Sequence, residues 1–251
     1  METTSIDTKI ALDVFSTKAV TCRQFTLSAD DLTHFPQELK DIVRGIWRKY
    51  PDTSLPNLCV TANSWNTVQR WARELEMSVN EFLKPIHILS MSTFPVLGKN
   101  IAEMIEQCHA NNTMVNFNYM VKGGEEGNKY FSMGCMYADQ VYLVLKKPAL
   151  GDPMPREDLT NWMKARVLAK ALAGKNPEKI IEDHCVMDSM FYNDCGQCCS
   201  AHTSKSHVWP NGCITGCPYD SRQTNGDISC CAIPVELKAL KNELKIEAKS
   251  A

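Results

Sequence analysis

Several things are scarce in this chain. No run of about 18 apolar residues occurs, and a membrane-spanning helix needs one of that length. Residues 1–7, Met-Glu-Thr-Thr-Ser-Ile-Asp, lack a basic start followed by an apolar stretch, so no secretory leader is expected. The last residues carry no prenylation or retention signal. Together these absences predict a cytoplasmic, intracellular protein with no membrane partner. An excess of one charge is missing too. Lys and Arg number 27 and Asp and Glu 29, giving a net charge of −2. That argues against a polyanion-binding surface over the whole molecule and disfavours nucleic acid as a partner. GxxxxGK[ST], GxGxxG and GxSxG are absent, as are HExxH and the deaminase pattern, so the common phosphate, hydrolase and catalytic-zinc signatures have no support.

What is present in excess is cysteine, and it is concentrated. Of twelve cysteines, eight fall in one window: Cys185, Cys195, Cys198, Cys199, Cys213, Cys217, Cys230 and Cys231. His202 and His207 lie inside it and His184 at its edge. The window is rich in Asn, Ser, Thr, Gly and Asp and poor in aliphatics. Ordering such a segment costs about 1–2 kcal/mol per residue in backbone entropy, with little apolar burial to offset it. A structural zinc contributes about 10–16 kcal/mol of apparent binding energy. The clearest spacing is Cys195-Gly-Gln-Cys198 followed by Cys213-Ile-Thr-Gly-Cys217. Each pair sets two thiolates on one tight loop, and Gly196 and Gly216 permit the bends. Two such loops brought together give a tetrahedral four-sulfur site that suits structural zinc. His202 or His207 is a reserve ligand, and Cys199, Cys185, Cys230 and Cys231 are left for a second site.

Other readings compete. The vicinal pairs Cys198-Cys199 and Cys230-Cys231 are awkward as ordinary zinc ligands and raise an iron–sulfur or vicinal-thiol oxidoreductase. Disulfides are disfavoured in a reducing compartment, and free core thiols fit poorly in so polar a segment. Cys22, Cys59, Cys108 and Cys135 are scattered and read as core thiols. A third reading rests on residues 64–84, where Trp71, Ala72, Leu75, Met77 and Phe82 resemble a helix-turn-helix unit. Glu76 stands where that turn usually takes Gly, and Pro85 truncates the reading helix. The leading expectation is therefore an intracellular zinc-binding protein with a binding or assembly role, its catalytic residues unassigned.

Periodicity predicts an α+β fold. Helices are expected over 36–50, 64–77, a short stretch opened by a Ser78–Glu81 capping box, and 95–109. Alternation in Val115, Phe117, Tyr119 and Val121, again over 130–138, and then over 141–145 predicts a three-stranded antiparallel meander. Gly151-Asp-Pro-Met-Pro155 marks a possible boundary between 1–150 and 151–251. A helix follows over 155–173, capped by Gly174, and Asn176-Pro177 is expected to cap a short helix holding Ile180 and Ile181. After the cysteine-rich segment, Pro234 opens a last helix with Leu237, Leu240 and Leu244 on one stripe. It suits docking on its own domain, a protein partner or self-association.

Overall fold

The computed structural model describes residues 24–28, 37–49, 57–96, 98–146, 155–182, 186, 207–208 and 214–215. Two compact units divide the chain: Leu12–Lys146 with Pro155–Val186, and Met1–Ala11 with Lys147–Met154 and Met187–Ala251.

The first unit is a parallel α/β sheet. Six strands, β1 Gln24–Ser28, β2 Asn57–Ala62, β3 Ile86–Met91, β4 Met114–Met120, β5 Gln140–Val144 and β6 Ile180–Glu182, lie side by side in sequence order. Each pairs in parallel with the next. Helices occupy the crossovers: α1 Gln37–Lys49, α2 Trp65–Glu74 with α3 Val79–Leu83, α4 Gly98–Ala110, α5 Lys129–Tyr137 and α6 Arg156–Ala173. When every strand follows its neighbour through a right-handed crossover, all the helices fall on one face of the sheet. Burial agrees. The register row Ala62, Met91, Phe117, Val141, Ile180 is buried throughout. α5 presses on it through Gly134, where an added Cβ would lie 2.2 Å from the Phe117 ring. Phe94 packs edge-on against Phe117 at 5.7 Å, and Trp162 of α6 donates its indole N–H to the Leu143 carbonyl at 2.7 Å.

Local chemistry sets the helix ends. The Ser64 side chain caps α2, and Ser78 with Glu81 forms the expected reciprocal capping box on α3. Between them Glu76 takes a left-handed φ of 56°, an uncommon conformation for a residue with a Cβ. α1 locks onto this pair: Trp47 stacks on Phe82 at 5.3 Å and donates to its carbonyl at 2.8 Å, while Arg44 Nε donates to the Leu75 carbonyl. Asn128 caps α5 by accepting from the Phe131 N–H.

The antiparallel meander expected from the sequence is corrected. Residues 130–137 belong to helix α5, with Ala138 as its C-cap, because Phe131, Gly134, Cys135 and Ala138 recur at helical spacing and all are buried. The flanking strands exist, but α5 returns the chain to the starting edge, so they pair in parallel. Between the helices expected over 36–50 and 64–77 lies β2, and the short helix expected around Ile180 is a single turn, Pro177–Lys179, leading into β6. In α6 the buried stripe is Trp162, Ala165 and Ala169; Met163 and Val167 are exposed. Small residues let this helix lie close to the sheet. Cys59, Cys108 and Cys135 are buried free thiols, as expected. In the second unit, β7 His207–Val208 and β8 Ile214–Thr215 pair as an antiparallel ribbon. The predicted carboxy-terminal helix lies outside the described residues. No described helix is long and apolar enough to cross a membrane.

Candidate functional site

A strand sends alternate side chains to opposite faces, so the face opposite the helices is set by the intervening residues. Register places Thr61 beside Ser90, Ser90 beside Asn116, and Asn116 beside Gln140. Asn118 lies beside Tyr142 one step nearer the carboxyl edge, and Thr26 beside Cys59 one step nearer the amino edge. This face carries none of the described helices. Across β2 to β5 its central row is entirely polar and neutral.

Asn116 is the focus. It is 8% exposed, and its Nδ2 donates to Ser90 Oγ at 3.0 Å. Its Oδ1 is buried with no hydrogen-bond partner. Leaving a buried acceptor unmade costs about 1–3 kcal/mol, and such orphans are rare enough to call for an explanation. Cys59, on the same face, is no ready nucleophile: burial pushes its thiol up to about 11, only partly countered by a hydrogen bond with Thr26. Cys108 and Cys135 are pushed to about 12, chiefly by burial. All three are packing thiols at neutral pH.

The carboxyl edge of the sheet is where parallel α/β proteins place ligands. Here β4 runs into a turn in which Gly123 and Gly124 take φ of 88° and 75°. Glu125, 3% exposed, folds back to accept from the backbone N–H groups of Lys122 and Gly123 at 2.8 and 2.9 Å. At the end of β6, Glu182 accepts from Arg166 and lies 3.4 Å from Lys170. The Arg166 hydrogen bond holds its carboxyl below the usual range.

The amino edge offers a cavity of about 460 Å³ lined by Met114, Asp139, Gln140 and Lys179. Two of its charged groups, Lys179 and Asp139, are already committed to the fold. Lys179 Nζ donates to the Met136 and Ala138 carbonyls, both at 3.0 Å, closing the end of α5. Asp139 accepts from the Val115 N–H at 2.7 Å and pairs with His109.

The sequence-predicted metal ligands fall elsewhere. Cys195, Cys198, Cys199, Cys213, Cys217, Cys230, Cys231, Cys185 and His202 lie outside the described residues. His207 is placed only as a backbone position in β7. Among the described residues no group of three His, Cys, Asp or Glu side chains is arranged to hold a metal. The residues 71–82, read as a helix-turn-helix resemblance, build the β2–β3 crossover; Trp71, Ala72, Leu75 and Phe82 are buried. Asn116 was missed because a lone Asn in an alternating strand gives no signal until its neighbours are known. Comparison with protein-family models, curated proteins and solved structures finds no match.

Proposed function

We propose that this chain is an enzyme of the parallel α/β class that binds a small polar molecule on the sheet face that carries none of the described helices, and that it holds a thiolate-bound metal centre in its cysteine-rich segment. The observation that carries the reading is Asn116, a buried amide with an unused polar atom in a row of hydroxyls and amides, with Cys59, Ile88 and Met114 beside it toward the amino edge. A row meant only for packing would be apolar, as the matching row of the opposite face is.

β6 ends at Glu182, three residues before Cys185, and Val186 is buried in the same unit as the sheet. The cysteine-rich segment therefore follows directly on the carboxyl end of a strand. An iron–sulfur centre fits the ligand set better than structural zinc. Eight cysteines exceed one tetrahedral site, and the two vicinal pairs suit a cluster more readily than a single cation. Cys195, Cys198, Cys213 and Cys217 are the first ligands proposed, with the other four cysteines and His202 and His207 in reserve.

Anaerobic purification of the full chain with iron, sulfide and zinc analysis tests this. A brown protein with matched iron and acid-labile sulfide is expected. Colourless protein holding stoichiometric zinc returns the segment to a structural role, and metal-free protein removes the metal centre altogether.

A further inference from the structure

We propose that the cavity at the amino edge of the sheet binds a primary amine carrying an apolar body, with Glu178 taking the ammonium group and Met114, Met136 and Tyr137 taking the body. The proposal goes beyond the reading above and depends on neither Asn116 nor the metal centre.

The fold brings the lining together from separate parts of one unit. Met114 opens β4, and Gln140 opens the neighbouring strand β5. Met136 and Tyr137 belong to the last turn of α5. Asn176 caps the single turn that holds Glu178 and leads into β6. The space they border, about 460 Å³, falls within the roughly 300–1,000 Å³ of small-molecule sites. It is reached from solvent, because Met114, Met136 and Tyr137 are 40%, 47% and 47% exposed. Three of the seven large apolar side chains left exposed among the described residues therefore line this one cavity. Scattered singly, such residues need no explanation; gathered around a cavity, they form a surface that a ligand's apolar body covers. Methionine adapts to the shape of what it covers.

Bonding capacity sets the head group. Lys179 spends two of its three N–H groups on the Met136 and Ala138 carbonyls. Asp139 accepts from the Val115 N–H and pairs with His109. Glu178 is exposed, and among the described residues no hydrogen bond or ion pair engages it, although Lys179 feels its charge through space. The lining thus holds two carboxylates and one ammonium that is already engaged. Lys175, the next cation in sequence, does not line it. Helix α5 also ends here, and the carbonyl end of a helix is partially negative. The cavity therefore favours a cation over an anion. The side-chain amides of Gln140 and Asn176 line it as well, and their oxygens can accept the remaining ammonium N–H groups. The Tyr137 ring offers its face to the same charge.

The test uses the full chain with labelled methionine methyl groups, followed by NMR. 2-Phenylethylamine is the probe. 2-Phenylethanol keeps its body without the charge, 3-phenylpropanoate reverses the charge, and ethylamine keeps the charge without the body. Saturable movement of the Met114 and Met136 signals by 2-phenylethylamine is expected, with Met163, equally exposed on α6, unmoved. The alcohol should bind about fivefold more weakly, the reach of one partly exposed ion pair, the acid more weakly still, and ethylamine without saturation. Glu178→Gln should weaken the amine about fivefold and leave the alcohol unchanged, which also shows that the variant is folded. No movement with the amine, Met163 moving alongside the other two, the alcohol or acid binding as tightly as the amine, or an unchanged amine affinity in Glu178→Gln overturns the proposal.

Discussion

The two faces of the sheet obey different rules, although their residues alternate along the same strands. On one face Ala62, Met91, Phe117, Val141 and Ile180 form an unbroken apolar row under the helices. One pleat away, Thr61, Ser90, Asn116 and Gln140 form an equally continuous polar row. The first row is what holds the unit together, since apolar burial is the dominant favourable term in folding. The second contributes little to stability and leaves a buried acceptor unsatisfied.

Substitutions on the two faces should therefore differ in size, and chemical denaturation of the folded chain measures them. Phe117→Ala, at the centre of the covered face, is expected to destabilise by about 3–5 kcal/mol. A loss below 1 kcal/mol would break the contrast between the faces. Gly134→Ala forces a Cβ into the Phe117 ring and should cost about 1–3 kcal/mol. An unchanged midpoint would mean that α5 does not press on the sheet as described.

High pH probes the same covered core through its thiols. Burial raises Cys59, Cys108 and Cys135 from an ordinary 9.0 to about 11, 12 and 12. For a folded pKa above the unfolded one, the stabilisation is complete below pH 9 and is lost as pH rises through the folded values. Lys179 opposes this, because burial lowers its pKa and deprotonation relieves its cost. Three thiols outweigh one half-exposed amine, so stability should fall between about pH 9 and pH 12. A flat denaturation midpoint across that range would contradict the burial of these groups.

A smaller effect is expected at the α3 cap. Ser78→Ala removes half of the capping box and should cost about 1 kcal/mol. The smallest belongs to the face that carries none of the described helices. Asn116→Leu removes the orphan acceptor along with the bond to Ser90, and should shift stability by less than about 1 kcal/mol in either direction. A loss of several kcal/mol would make Asn116 a structural residue and remove the argument for a ligand.

The faces also explain what could be read from the chain alone. Helices α1, α2 and α4 were legible because each carries an apolar stripe, and the Ser78–Glu81 box was legible because capping is local chemistry. The direction of strand pairing was not. Parallel sheets usually have both faces covered, and their strands read as continuous apolar runs. Here one face carries no described helix, so Met114–Met120 alternates like a half-buried antiparallel strand. Helix α5 carries Phe131, Met133 and Cys135 at a spacing that also fits a strand, and Gly134, which looks like a break, is where the helix meets Phe117. The polar row was illegible for a further reason. Thr61, Ser90, Asn116 and Gln140 are 24 or more residues apart in sequence and meet only through register. The cysteine window, by contrast, was visible at once because its residues are neighbours in the chain.

Thiol protection compares the two units most directly. Packing shields Cys59, Cys108 and Cys135, whereas the metal centre proposed above would shield the eight cysteines from Cys185 to Cys231. Alkylation of the anaerobically purified chain at neutral pH, before and after removal of metal by a chelator, reads each cysteine by mass spectrometry. The predicted result is all eight protected at first and exposed once metal is removed, with Cys59, Cys108 and Cys135 silent until denaturant is added. Eight window thiols that react freely at the outset, or that stay silent after metal removal, would contradict the account.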